Sequence, residues 1–362
     1  MNYVDRYVDF YSGPNKKIIY RMIDGFAQAV RTGQLDVLDD MLSNDCVASI
    51  SMIKKGIRGI EEIKKALTWP GEQMDIRKFN IFDYVCRYAG NQAQVYFYNQ
   101  CIVAKDDGVN VFPFVFGGQF CIHLIKKEEE WRMDSIKYDL SYDYGNTCFV
   151  RGKWKLMNYN QFYGHTPMIS HMSDSPWVRI PVDEEAGSEE EIAYQERYRS
   201  CYAMDAASVD ELAALSANGG STKQRGPSLG VRKSVTKGGG TQDTGTAFEA
   251  ADYLNFQKEK IHKEARLQHV MVVNDIYREG DLRTTATYRS EYNRLYNRHY
   301  TRDNIHSIVF TVYQPSVEIF EDGKWYPYQN GFKGGVIFVP VDDDCIQFDT
   351  YICGGKQWLK EA

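Results

Sequence analysis

The chain has 362 residues, room for two ordinary domains, and 43% hydrophobic with 14% aromatic content is ample for packed cores. A formal net charge of -6, with no basic stripe interleaved with aromatics, argues against a nucleic-acid partner. Its 8 cysteines never form CxxC, and no His/Cys cluster has zinc-ligand spacing, which argues against a structural metal.

The opening MNYVDRYVDFYSG lacks a basic region followed by an apolar stretch, and no run approaches about 18 consecutive apolar residues. The expectation is a cytoplasmic protein with reduced thiols and no membrane association. KKIIYRMIDGFAQAVRTG has the apolar spacing of a first helix, followed by a short helix in LDVLDDML and a strand in CVASISM. A further helix, GIEEIKKAL, ends at Trp69-Pro70, because proline disfavours helical geometry in the residue before it. Four strand-like runs follow: FNIFDYVCRY, QAQVYFYNQCIVAK, VNVFPFVFGGQFCIHLIKK and WRMDSIKYDLSY, separated by the turn chemistry of AGN, DDG and KKEEE. Helices first and a long meander afterwards predict an α+β fold, with helices packed on one face of a curved antiparallel sheet.

The second half repeats this order. Val209, Asp210 and Leu212 match Leu35, Asp36 and Leu38 at an offset of 174. Gly280 and Tyr288 match Gly90 and Tyr98 at 190, and Trp325 matches Trp131 at 194. Offsets that only grow along the chain predict two tandem copies with insertions. The expected division is a first domain at 1–160, a linker at 161–188 that wraps the surface, and a second domain at 189–362. Residues 218–246, rich in Gly, Ser, Thr and Lys and nearly free of large apolar groups, read as a flexible insertion in that second domain.

Tyr198, Tyr202 and Asp205 fall at i, i+4 and i+7, one stripe of a helix. The layout resembles the SnoaL-like branch of the nuclear transport factor 2-like superfamily, which includes scytalone dehydratase, bile-acid dehydratases and ketosteroid isomerase. YAMDAASVDELAAL, LQHVMVVNDIYREGDLRTTATYRSEY and FEDGKWYPY carry the likeness in the second half, and VRTGQLDVLDDML and EEEWRMDSIKYDL carry it in the first. The resemblance implies tandem cone-shaped α+β barrels, each with a mostly apolar pocket, and homo-oligomers formed through sheet faces. It also implies an acid on the first helix facing a histidine at the start of the first long strand, which here are Asp205 and His269. Arg31 and Phe79 stand at the corresponding places of the first half, so only the second copy keeps the pair.

What the resemblance implies for chemistry is acid–base enolisation with no metal or organic cofactor. His269 would be the base, Asp205 its orienting carboxylate, and Tyr202 a hydroxyl donor to the developing enolate. Tyr198, Asn274, Arg289 and Tyr292 would line the substrate. The expected activity is that of a lyase (dehydratase) or isomerase acting on a small hydrophobic carbonyl-bearing ring compound such as a steroid, bile acid, polyketide or phenolic. The alternative is a non-catalytic hydrophobic-ligand-binding or subunit-stabilising protein of the same fold. Plainer roles stay open for each residue: Asp205 as a helix cap and His269 as an ordinary strand histidine. His123, Lys137, Asp139 and Tyr142 read as strand residues that could line a pocket in the first half. VDDDCIQFDTYIC lacks the spaced ligands of a calcium loop, and no GxSxG, phosphate-binding loop or dinucleotide fingerprint is present.

Overall fold

The computed structural model describes residues 13–70, 74–156, 169–185, 187–188 and helical positions within 191–203, and beyond them the backbone of seven strands between 233 and 340. Two compact units divide the chain, the first containing Met1–Tyr198 and the second Arg199–Asn293 and Val309–Ile337.

The first unit opens with helix α1 (Pro14–Thr32), which presents Ile19, Tyr20, Ile23, Phe26, Ala27 and Val30 as one buried stripe. Pro14 sits in its first turn, where a missing N–H is harmless. Gly33 closes it in the left-handed region at φ 77°, its N–H bonded to the Ala29 carbonyl. A 3-10 turn at Leu35–Asp40 leads into strand β1 (Leu42–Ile50), then a short strand β2 (Lys54–Arg58) and helix α2 (Ile60–Leu67). The four long strands are β3 (Ile76–Ala89), β4 (Gln92–Asp106), β5 (Val111–Lys127) and β6 (Glu130–Gly145).

These strands form one curled six-stranded sheet in the order β2-β1-β6-β5-β4-β3. The meander β3 to β6 is antiparallel throughout, but β1 runs parallel to β6, with Ala48 opposite Ile136 and Ile50 opposite Tyr138. The sheet is therefore mixed, which corrects the all-antiparallel expectation. The cause is the crossover through β2 and α2, which returns the chain to the far side of the meander. β2 was not anticipated, because KKGIR is mostly polar and has no apolar alternation.

Alternation sorts β4 into two faces. Ala93, Val95, Phe97, Cys101 and Val103 join the core beneath α1 and α2, while Gln94, Tyr96, Tyr98 and Gln100 fall on the outer face and are buried too. That burial on both sides accounts for the long apolar runs read as strands. Among the described residues, no helix is long and apolar enough to cross a membrane.

Beyond residue 203 the backbone forms a hairpin of β7 (Lys233–Val235) and β8 (Thr241–Asp243) within the Gly/Ser/Lys-rich insertion. A second sheet takes the order β12-β11-β10-β9, from β9 (Val270–Glu279), β10 (Leu282–Leu295), β11 (His306–Glu321) and β12 (Lys324–Asn330). A last strand, β13 (Lys333–Pro340), pairs with β11.

Candidate functional site

The inner face of the first sheet is filled by aromatic rings. Phe120 on β5 is the hub, with ring centroids 4.5 Å from Tyr138, 4.9 Å from Phe97, 5.6 Å from Phe26, 6.0 Å from Trp69 and 6.2 Å from Phe79. Trp154 closes one side against Phe116 at 5.0 Å and Trp69 at 6.0 Å. Gly118 permits this arrangement, since a Cβ there would lie 2.1 Å from the Asp139 carbonyl oxygen and 2.7 Å from the Tyr138 hydroxyl. The same place carries a bulge, with Gly117 opposite Tyr142 and Gly118 opposite Leu140.

Phe79 is buried within the cluster and stacks on Trp69 at 5.9 Å. Arg31, half-buried near the end of α1, donates to the Gln28 side chain from Nε at 2.9 Å. Phe79 and Arg31, which sequence offsets of 190 and 174 set against His269 and Asp205, are thus a packing group and a surface cation. Cys46 and Cys86 offer no nucleophile near neutral pH, because burial pushes both thiols up to about 12. Among the described residues no group of three or more His, Cys, Asp or Glu side chains could hold a metal ion.

Buried polar side chains of the first unit line the outer face, where residues 169–185 cross the sheet as a strap. Buried Asp139 anchors its start, accepting from the backbone N–H groups of Ile169 at 2.6 Å and Ser170 at 2.8 Å, and also from the Ser170 hydroxyl. Lys137 Nζ meets Asp174 Oδ1 at 2.7 Å, and Gln94 donates to the Asp174 carbonyl at 2.8 Å. Helix α3 (Pro176–Arg179) follows, capped by the Ser175 side chain, and Arg87 donates to the Ile180 and Pro181 carbonyls. Further on, Glu185 accepts from Asn15 N and Lys16 N, capping α1 from across the molecule. Lys16, fully buried, bonds Asp183 at 2.6 Å and Glu191 at 2.7 Å.

His123 lies on this face, its Nδ1 3.3 Å from Asp134 Oδ2. With the proton on Nδ1 that contact is a hydrogen bond, and Nε2 is a buried acceptor with no partner among the described residues. Burial holds the His123 pKa below 6.5, helped by the Arg179 charge and opposed by Asp134. A histidine whose folded pKa is lowered contributes stability that is fully present above its unfolded value and lost as pH falls through it. The urea midpoint of the native protein is therefore expected to drop between about pH 7.5 and pH 5 by more than that of the His123→Gln variant. Equal drops in the two proteins would remove His123 as a cause.

Of the residues expected to form the acid–base site, Tyr198 and Tyr202 are helical and buried, at 2% and 0% exposure. Asp205 and His269 lie outside the described residues. Asn274 falls at a bulge in β9, where the register steps from Val273 opposite Thr287 to Asp275 opposite Ala286. Arg289 stands opposite Met271, and Tyr292 continues β10 two residues beyond the Ser290 to Val270 pair. His123, Lys137 and Asp139 share the outer face with the strap rather than lining an inner pocket. The spacing of Lys16 in α1 could have signalled its burial: it falls three and four residues before Ile19 and Tyr20, on the apolar stripe.

No protein-family model matches the chain, and no curated protein does. Three of the solved structures it is similar to each span about a third of it. A scytalone dehydratase candidate from Novosphingobium aromaticivorans is 15% identical over 36% of this chain and 87% of its own, with a TM-score of 0.32. A nuclear transport factor 2-like superfamily protein from Salmonella enterica is 14% identical over 34% and 89%, with a TM-score of 0.30. A type 2 hexachlorocyclohexane dehydrochlorinase is 12% identical over 36% and 88%, with a TM-score of 0.31.

Proposed function

We propose that the chain is a cofactor-independent lyase or isomerase that works by acid–base enolisation, and that its reacting groups belong to the second of two tandem copies. The observation that carries this reading is the asymmetry between the halves. The first has its interior filled by aromatic rings, with Phe79 and Arg31 where the second has His269 and Asp205. With a packing group and a surface cation at those two positions, the first copy serves as scaffold and the chemistry lies in the other.

Strand boundaries support the tandem reading. β3 ends at Ala89 and β4 begins at Gln92, while β9 ends at Glu279 and β10 begins at Leu282, both 190 positions on. β5 ends at Lys127 and β6 begins at Glu130, while β11 ends at Glu321 and β12 begins at Lys324, both 194 on. These are the offsets that the glycine and tryptophan matches give.

The mechanism follows from the residue types. His269 takes a proton from the carbon beside a carbonyl, since imidazole titrates near working pH. Asp205 fixes the ring's tautomer and stabilises its cationic form, and the Tyr202 hydroxyl donates to the oxygen that gains charge. Loss of a β-hydroxyl from that enolate gives dehydration, and reprotonation at another carbon gives isomerisation. A hydrophobic ring compound bearing an enolisable carbonyl is the substrate class this arrangement accepts.

Solvent deuterium exchange into a panel of cyclic ketones tests the assignment. His269→Ala is expected to slow exchange about a hundredfold or more. An unchanged rate would remove His269 as the base. Saturable ketone binding by the native protein with no exchange would assign the chain to the non-catalytic reading.

A further inference from the structure

We propose that the β2 end of the first sheet is a docking surface for an extended acidic peptide segment of a partner protein. Two short segments meet there. The first, residues 51–60, contains β2, and the second, 147–156, turns back against it through a hydrogen bond of 2.8 Å from Lys155 N to the Met52 carbonyl. Lys54 and Lys153 each lie two residues from that joint.

Neither segment contains an Asp or Glu, although the whole chain carries a net charge of -6. Lys54, Lys55, Arg58, Arg151 and Lys153 are all exposed, and none has an ion-pair partner among the described residues. The acids that follow in sequence, Glu61 and Glu62, begin α2, and Glu61 is held by Lys64 at 3.2 Å. Cations massed without counter-charge repel one another at separations near the Debye length of about 8 Å. An acidic partner relieves that repulsion.

The backbone favours an extended partner. Among the described residues β2 is a terminal strand with β1 as its neighbour in the sheet, so its outer edge can take a further strand. Lysines on an edge also repel cationic strands and resist burial beneath neutral ones, which favours acidic strands at this edge. Other anionic surfaces fit less well. In these segments Trp154 is buried and Phe149 half-buried, which leaves no exposed ring for base stacking. Ile57 is buried and Ile53 half-buried, which leaves no exposed apolar group for insertion into a lipid surface.

Fluorescence anisotropy with a labelled alternating Glu/Val peptide of about ten residues tests the proposal. Saturable binding is expected, weakening as salt rises. K54E/K153E is expected to bind about tenfold or more weakly, while a charge-matched control, K105E/K127E, binds as the native protein does. Equal affinity in K54E/K153E, or no saturable binding by the native protein at low salt, would overturn it. So would tighter binding of phosphatidylserine vesicles or polyuridine than of the peptide, if K54E/K153E abolished that binding.

Discussion

Lys16→Met is expected to destabilise the first half by about 3–5 kcal/mol. Lys16 is fully buried and holds Asp183 at 2.6 Å and Glu191 at 2.7 Å, with Gln195 donating to the same Glu191 oxygen at 2.8 Å. Burial works against the ammonium charge, but hydrogen bonds to the two carboxylates and their negative charge outweigh it, and the Lys16 pKa is raised above 10.5. One ammonium cannot neutralise two buried carboxylates. Glu191, whose Oε2 is buried without a partner, accordingly has its pKa raised by that burial, with Lys16 opposing. Removing Lys16 leaves both acids buried with no cation. Adding Asp183→Asn and Glu191→Gln to Lys16→Met should recover most of the loss, because the neutral triple variant buries no charge. Urea denaturation of the single and triple variants measures both effects. If Lys16→Met alone lost less than about 1 kcal/mol, the ion cluster would be incidental to the fold. A raised lysine pKa also contributes stability present below 10.5 and lost as pH rises through the folded value, so the native protein should lose this part of its stability only in strong alkali.

Phe120→Ala is expected to cost a similar amount, about 3–5 kcal/mol. Phe120 is fully buried, and five other aromatic rings have their centroids within 6.2 Å of its own. Truncation forfeits transfer energy and also leaves a void, because rings held on α1, on the segment after α2 and on three strands cannot all collapse into it. A void lined by Phe26, Phe97 and Trp69 would be apolar and would stay dry. Benzene at millimolar concentration should therefore bind the variant and raise its melting temperature, with no effect on the native protein. A benzene response in the native protein would mean that the first interior already holds a usable cavity.

The helices and long strands of the first half were legible in the sequence, because apolar spacing and turn residues report backbone periodicity directly. Trp69-Pro70 ended α2 where expected, and AGN, DDG and KKEEE fell between the long strands. β2 was not legible, because KKGIR is mostly polar, and the strap was legible only as a surface linker, without its anchoring partners. The strap holds its place through contacts between residues far apart in sequence, as Asp139 does with Ser170 and Arg87 with the Ile180 carbonyl. The parallel pairing of β1 with β6 escaped for the same reason, since local pattern sets no partner. Tyr198 and Tyr202 are buried as their shared helical stripe implies, while the acid and imidazole proposed to work with them rest on the resemblance of the sequence to a family pattern.

The cap on α1 also orders events in time. Asn15 leaves the ribosome 170 residues before Glu185, the side chain that satisfies its N–H. At about 5–20 residues per second, roughly ten to thirty seconds of synthesis separate the two. Through that interval the nascent first half carries a buried-site lysine with neither of its acids and a helix end with no acceptor. Its final closure is therefore post-translational with respect to its own sheet, and a fragment ending at residue 160 would remain at that unfinished stage.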